Sequence, residues 1–211
     1  MIKIKGIIVD FDGTLIDTME HFKKVAGIII NKYYKIPIEE AERLYIETSG
    51  VAFVRQMEII KPGGDMNSIV VKEFEELKLK GIENEKIDDD SIFTLNKLKD
   101  RGIKLGISSG NFEDVIIRFL EKENFIFDVV MGHREGFEKG SAHFQYFLEK
   151  TGLSKNDIIF IGDSIKDGER AYSFGIKFIA KEGIFSSDRF KKEFGENQIV
   201  IKKLSEVLNF V

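Results

Sequence analysis

The sequence predicts an α/β protein: a doubly wound parallel sheet, interrupted after its first strand by an inserted all-helical segment. Three observations carry this. Short, continuous apolar runs recur and finish at small or acidic residues, as strands buried on both faces do. Helical patterns alternate with those runs from about Asp90 to the end of the chain. Between about Ile16 and Lys86 no such run occurs, and the pattern is helical throughout.

The elements follow in order. "IKGIIVDFD" is a strand that runs into Asp10. "DTMEHFKKVAGIIINKYYK" is helical, with Phe22, Val25, Ile29 and Ile30 as its apolar positions. "PIEEAERLYIETSG" opens at Pro37 and stops at Gly50, the usual asymmetry of helix ends. "VAFVRQMEIIKPGG" ends on a Pro-Gly signal, and "NSIVVKEFEELKLKG" is expected to stop at Gly81. Ile92, Leu95 and Leu98 then share a helix face ahead of Gly102. "IKLGISSG" reads as a strand ending at Ser108-Ser109, followed by a helix carrying Val115, Ile116, Phe119 and Leu120. "FDVVMG" ends at Gly132, Phe144, Phe147 and Leu148 mark a helix before Gly152, and "DIIFIGDS" ends at Asp163-Ser164. "GIKFIAK" and "NQIVIKK" read as further strands toward one edge. The expected division is a core domain of residues 1–15 and 87–211 and a helical cap domain of residues 16–86.

Composition bounds the function. The 211 residues suit one domain with a sizeable insertion, or two modest domains. With 43% hydrophobic and 32% charged residues the chain is globular, not disordered. A net charge of −4 with both signs interspersed argues against a dedicated nucleic-acid surface. The absence of cysteine removes disulfides, thiolate metal sites and thiol nucleophiles. No signal-peptide pattern and no apolar run near 18 residues is present, so no membrane partner is expected and a cytoplasmic location is.

The chemistry gathers at the strand ends. In a parallel α/β sheet, functional groups collect outside the carboxyl ends of the strands, which brings Asp10, Asp12, Ser108-Ser109 and Asp163 together. Buried carboxylates are costly unless something positive sits among them. Oxygen ligands without cysteine suit a hard cation, and Mg²⁺ is the expected cofactor. Aspartate can also serve as a covalent nucleophile toward phosphorus. A hydroxyl from Ser109, backbone N–H groups after a strand and a lysine would hold the phosphate. A calcium loop does not fit "DFDGT": the EF-hand glycine belongs at the sixth position and Gly13 is at the fourth. No P-loop motif is present.

The arrangement resembles the haloacid dehalogenase superfamily, mostly Mg²⁺-dependent phosphohydrolases on a Rossmann-like core, and the resemblance covers nearly the whole chain. "VDFDGTL" is similar to its first motif, D-x-D-x-T. The resemblance implies Asp10 as the nucleophile that forms an aspartyl phosphate. It implies Asp12 as general acid and then general base, with its backbone carbonyl on the metal. Thr14 belongs to the same motif and, with Gly110, is expected at the phosphate. "KLGISSG" is similar to the second motif, whose hydroxyl is Ser109 or, failing that, Ser108. "EKGSAHF" is similar to the third, with Lys139 as the phosphate-stabilising lysine, although Gly140 stands where the family often has proline. "IIFIGDSIKD" is similar to the fourth: Asp163 is a metal ligand, and Asp167 ligates through water or orients Asp163. Metal ligation is thus expected from Asp10, Asp12 and Asp163.

An insertion between the first and second motifs resembles the helical first-position cap of phosphoglycolate phosphatases, β-phosphoglucomutases and haloacid dehalogenases. The dehalogenases generally lack the second aspartate of the first motif, so Asp12 argues for phosphate chemistry. The expected partner is a small phosphorylated metabolite. Within the cap, Arg55 is the candidate for a substrate's distal group. His21 sits one residue earlier than the mutase pattern wants; His133 and Arg134 read as a solvated loop, and Phe11 and Phe53 as packing. Three functions stay open: hydrolysis of a small phosphomonoester such as phosphoglycolate or a sugar phosphate, phosphomutase activity, and a regulatory role without catalysis. The intact set of Asp10, Asp12, Lys139 and Asp163 argues against the last.

Overall fold

The computed structural model describes residues 4–211, so the first three residues of the expected core segment lie outside it. The chain forms two compact units. One comprises the chain up to Ile16 together with Lys86–Val211, and the other is Asp17–Glu85.

The larger unit is a parallel six-stranded sheet with helices in the crossovers. Its strands are β1 (Gly6–Val9), β2 (Lys104–Phe112), β3 (Val129–His133), β4 (Ile158–Gly162), β5 (Lys177–Lys181) and β6 (Val200–Ile201), in the spatial order β3-β2-β1-β4-β5-β6. β1 is central because its four residues, Gly-Ile-Ile-Val, are buried throughout and pair with β2 on one side and β4 on the other. The strand order reverses direction at β1 and β4, the switch point where ligands bind in open α/β sheets.

In chain order the helices are α1 (Met19–Tyr34), α2 (Ile38–Glu47), α3 (Phe53–Ile60) and α4 (Asn67–Asn84), then α5 (Asp89–Asp100), α6 (Glu113–Glu123), α7 (Ser141–Thr151), α8 (Ile165–Phe174) and α9 (Ser187–Phe194). Those from α5 onward belong to the sheet unit. α5 starts where the Asp88 side chain accepts the Ser91 N–H at 3.0 Å. α7 and α8 stop at Gly152 and Gly175, whose φ values of 70° and 85° place them in the left-handed region. One core cluster joins Ile8, Met131, Phe144, Phe147, Phe160 and Phe178. Phe11 is fully buried, edge-on to Phe119 at 5.1 Å.

α1 to α4 make up the helical unit. Its core is aromatic: Phe53 stacks on Phe74 at 3.9 Å, with Tyr45 and Phe22 around them. Gly81 does not end α4, contrary to the sequence expectation. A Cβ there would meet the His21 ring at 2.9 Å and Phe22 at 3.3 Å, so this glycine lets α4 approach α1 rather than stop it. Two strand lengths also differ from expectation. β2 continues past Ser109 to Phe112 through a register shift against β3, and β6 keeps only two residues of "NQIVIKK". No described helix is long and apolar enough to cross a membrane.

Candidate active site

The chain leaves β1 at Val9 and turns at once. The Asp10 N–H still donates to the Ile161 carbonyl at 2.8 Å, so the side chain emerges at the sheet's end between β1 and β4. Gly13 has φ 73°, a conformation glycine adopts without penalty, and its N–H donates to the Ile16 carbonyl at 2.8 Å. This tight loop separates the two acids: Asp10 is buried and Asp12 is half-buried. Lys181, at the end of β5, fastens the loop by donating to the Gly13 carbonyl at 3.1 Å.

β4 delivers the other acids. Ser164 caps α8 in a capping box, its hydroxyl donating to Asp167 Oδ2 at 2.7 Å while accepting the Asp167 N–H at 3.1 Å. Asp167 is fully buried against Gly162, where a Cβ would come within 2.8 Å of the carboxylate. Only glycine leaves room for that carboxylate.

Lys139 lies among these acids. Its Nζ is 2.8 Å from Asp10 Oδ1 and 2.7 Å from Asp167 Oδ1, and Arg170 reaches Asp167 Oδ1 at 3.6 Å. Burial opposes the Lys139 charge, yet Asp10 and Asp167 beside it hold its pKa above the ordinary value. Burial also works against Asp167, but Lys139 and Arg170 keep its carboxyl below the usual range. Asp10 fares differently: burial, with a smaller push from Asp167, outweighs Lys139 and raises it to about 7. Burial and the charges of Asp10 and Asp167 push Asp163 well above the usual range.

These carboxylates fit a hard cation. Asp10, Asp163 and Asp167 each offer an oxygen within 4.8 Å of the others, all buried. Asp163 forms no ion pair among the described residues. Two acids raised by burial mark a place where added positive charge is stabilising. The Asp12 side chain is not part of this cluster. Its Oδ2 instead accepts a 2.7 Å hydrogen bond from Asn111 Nδ2.

The two serines of β2 do different things. Ser108 Oγ lies 3.0 Å from His143 Nδ1, against a ring whose pKa burial and the Lys139 charge lower to about 4. Ser109 Oγ accepts the Asn111 N–H at 3.0 Å, on the side that leads to Asp12. Thr14 is buried, and its Oγ1 has no hydrogen-bond partner among the described residues. Gly110 is exposed, with open space where a Cβ would stand. Arg55 is exposed on α3 in the helical unit. His133 lies 5.4 Å from the Phe112 ring, and Arg134 pairs with Glu113 at 3.6 Å.

Sequence reasoning missed Asn111, His143, Arg170 and Lys181. Asn111 had a signal, being two residues beyond Ser109. Arg170 had one as well, three residues after Asp167 and so on its helix face. His143 and Lys181 had none, since only the fold brings α7 and β5 to the site.

The family model described as haloacid dehalogenase-like hydrolase matches residues 7–181. The chain belongs to this family. Among curated proteins it is similar to a candidate pyrophosphatase, PpaX, of Caldanaerobacter subterraneus subsp. tengcongensis, with 27% identity over 201 residues, 90% of this chain and 88% of that protein. Solved structures share the fold. A predicted phosphatase from Clostridium acetobutylicum superposes with a TM-score of 0.81 at 24% identity, covering 99% of this chain and 98% of that one. CbbY from Rhodobacter sphaeroides, solved in complex with phosphate, superposes at 0.73 with 16% identity, covering 97% of this chain and 96% of that one.

Proposed function

We propose that this hydrolase is a Mg²⁺-dependent phosphatase of small phosphomonoesters, of the phosphoglycolate or sugar-phosphate type, working through an aspartyl phosphate. The observation that carries the proposal is Lys139, held 2.8 Å from Asp10 beside three buried carboxylates at the sheet's switch point. A cation held by Asp10, Asp163 and the Asp12 carbonyl, with Asp167 behind them, would neutralise phosphoryl charge and keep Asp10 ionised. A carboxylate oxygen of Asp10 attacks phosphorus, and the ester P–O bond breaks. Asp12 gives its proton to the departing oxygen, a step worth about 10²–10⁴-fold. Water then attacks the aspartyl phosphate, Asp12 takes its proton, and the bond to Asp10 breaks to release phosphate. Lys139, the Ser109 and Thr14 hydroxyls and the Gly110 N–H hold the phosphoryl oxygens during both steps.

Hydrolysis is favoured over phosphoryl return to substrate. His21, the residue nearest to a mutase pattern, lies against the Gly81 backbone of α4. The test is phosphate release from a panel of phosphomonoesters, with Mg²⁺ and with EDTA, for the wild type and Asp10→Asn. Turnover is expected on at least one ester, lost on chelation, restored by Mg²⁺ and absent in Asp10→Asn. Near-wild-type turnover by Asp10→Asn refutes the covalent mechanism, and turnover that survives exhaustive chelation refutes the metal.

A further inference from the structure

We propose that Asn111 is the positioning residue for the general acid: it holds one oxygen of Asp12 so that the catalytic proton rides on the other. The inference rests on the reading of Asp12 given above.

Asn111 is 6% exposed, and two contacts fix it. Its backbone N–H donates to Ser109 Oγ at 3.0 Å, and its Nδ2 donates to Asp12 Oδ2 at 2.7 Å. It lies within the stretch of β2, between Ser108 and Phe112, where the register against β3 shifts, and Phe112 resumes pairing with His133 directly after it. The irregularity is what carries an amide from β2 across to the loop after β1, joining positions 99 residues apart in sequence.

The chemistry of the contact decides its role. An amide N–H only donates. It can donate to the ionised carboxylate, or to the carbonyl oxygen of the neutral acid, and in neither state can it take the proton. Asp12 Oδ2 is therefore always an acceptor. The amide N–H lowers the basicity of Oδ2 and pairs best with it as a carbonyl oxygen, so the proton that Asp12 gives to the leaving group, and later takes from water, is favoured on Oδ1. Asn111 thus contributes to the direction of the carboxyl and biases which oxygen does the work. Ser109 is tied to the same residue, so the phosphate-side hydroxyl and the acid are held in one register. A general acid is effective only in hydrogen-bond reach of the atom it protonates, so loss of this tether is read in the proton-transfer step.

The test is a leaving-group series. The rates kcat/KM are measured for wild type, Asn111→Ala, Asn111→Asp, Asp12→Asn and the double variant Asn111→Ala/Asp12→Asn on aryl phosphates, from 2,4-dinitrophenyl to phenyl phosphate. A dinitrophenolate leaves without a proton, whereas a phenolate needs one. Asn111→Ala is expected to lose about 10-fold or more on phenyl phosphate and less than about 2-fold on the dinitrophenyl ester. That near-full rate also shows a folded site. Asn111→Asp keeps the size but points an acceptor at Oδ2, and should lose more than the alanine variant on phenyl phosphate. In the Asp12→Asn background, Asn111→Ala should have little further effect. An equal loss across the series, or losses that multiply in the double variant, overturns the proposal while the phosphatase reading stands. A wild type without Asp10-dependent turnover on any ester overturns both.

Discussion

Replacing Lys139 by methionine tests the electrostatic logic of the site. The side chain is 9% exposed, and its partners Asp10 and Asp167 are 7% and 0% exposed. The variant keeps the apolar stem but leaves buried acids without their cation. Removing one member of a buried ion pair typically costs about 3–5 kcal/mol. Asp167 retains Arg170 at 3.6 Å, so the loss falls mainly on Asp10. The pH dependence gives the signature. Lys139 pulls the Asp10 pKa down against burial, so in the variant the pKa rises further above about 7 and the folded form takes up a proton. An acid raised on folding is tolerated below its unfolded pKa and costs stability as pH rises toward its folded one. The deficit of the variant should therefore grow as pH rises above about 7, be larger at pH 8 than at pH 7, and be smallest toward pH 5.5. Urea denaturation followed by circular dichroism in EDTA measures this. Millimolar Mg²⁺ should restore part of the stability but not the turnover, because in the proposed mechanism Lys139 also holds the phosphoryl group. A variant within about 0.5 kcal/mol of wild type at pH 8, or a deficit independent of pH, refutes this account of the site.

Two further outcomes follow from the same charges. Mg²⁺ should raise the melting temperature by several degrees at 100 times its Kd, which corresponds to about 2.7 kcal/mol; the shift should vanish in Asp163→Asn, and differential scanning fluorimetry reads both. The shift should also weaken from pH 8 to pH 5.5, because Asp10, with a pKa of about 7, then holds a proton in the cation's place, and an unchanged shift would contradict the assignment. His143 is buried neutral with a pKa of about 4, against about 6.5 when unfolded, a difference worth about 3 kcal/mol. Its contribution is complete above pH 6.5 and is lost as pH falls toward 4, so His143→Gln should flatten that limb of the stability profile, and an unaltered limb would refute the burial of a neutral imidazole beside Lys139.

The sheet was legible because each of its inner strands is a run of buried apolar residues. "GIIV" and "IIFIG" carry no alternation that could be mistaken for a one-sided strand. Gly81 was misread for a physical reason: the same residue permits a helix stop and a close helix approach, and only the partner ring of His21 distinguishes them. The end of β2 was misplaced because polar residues continue the strand, so Ser-Ser-Gly-Asn looks like a loop. At the site, Asp10 and Asp163 were legible because each closes an apolar run, "GIIV" and "IIFIG". What supports them was not. Asn111 and Lys181 contact atoms 99 and 168 positions away, and no local pattern encodes such a pairing.

The lysine loop shows how a departure from the family pattern is accommodated. Gly140 has φ 124°, where proline, fixed near −65°, cannot go. A Cβ at this position would lie 3.2 Å from Arg170 Cδ. The glycine and the arginine therefore belong together: the Arg170 stem lies where a larger residue at 140 would press, and its guanidinium reaches Asp167. Asp167 is thus approached by two cations, with its second oxygen taken by Ser164. That leaves its charge the most fully compensated of the cluster, consistent with its carboxyl alone being held below the usual range while Asp10 and Asp163 are raised. The unsatisfied electrostatic demand of the site is therefore concentrated on Asp10 and Asp163, at the ends of adjacent strands β1 and β4, where a divalent cation would do most to relieve it.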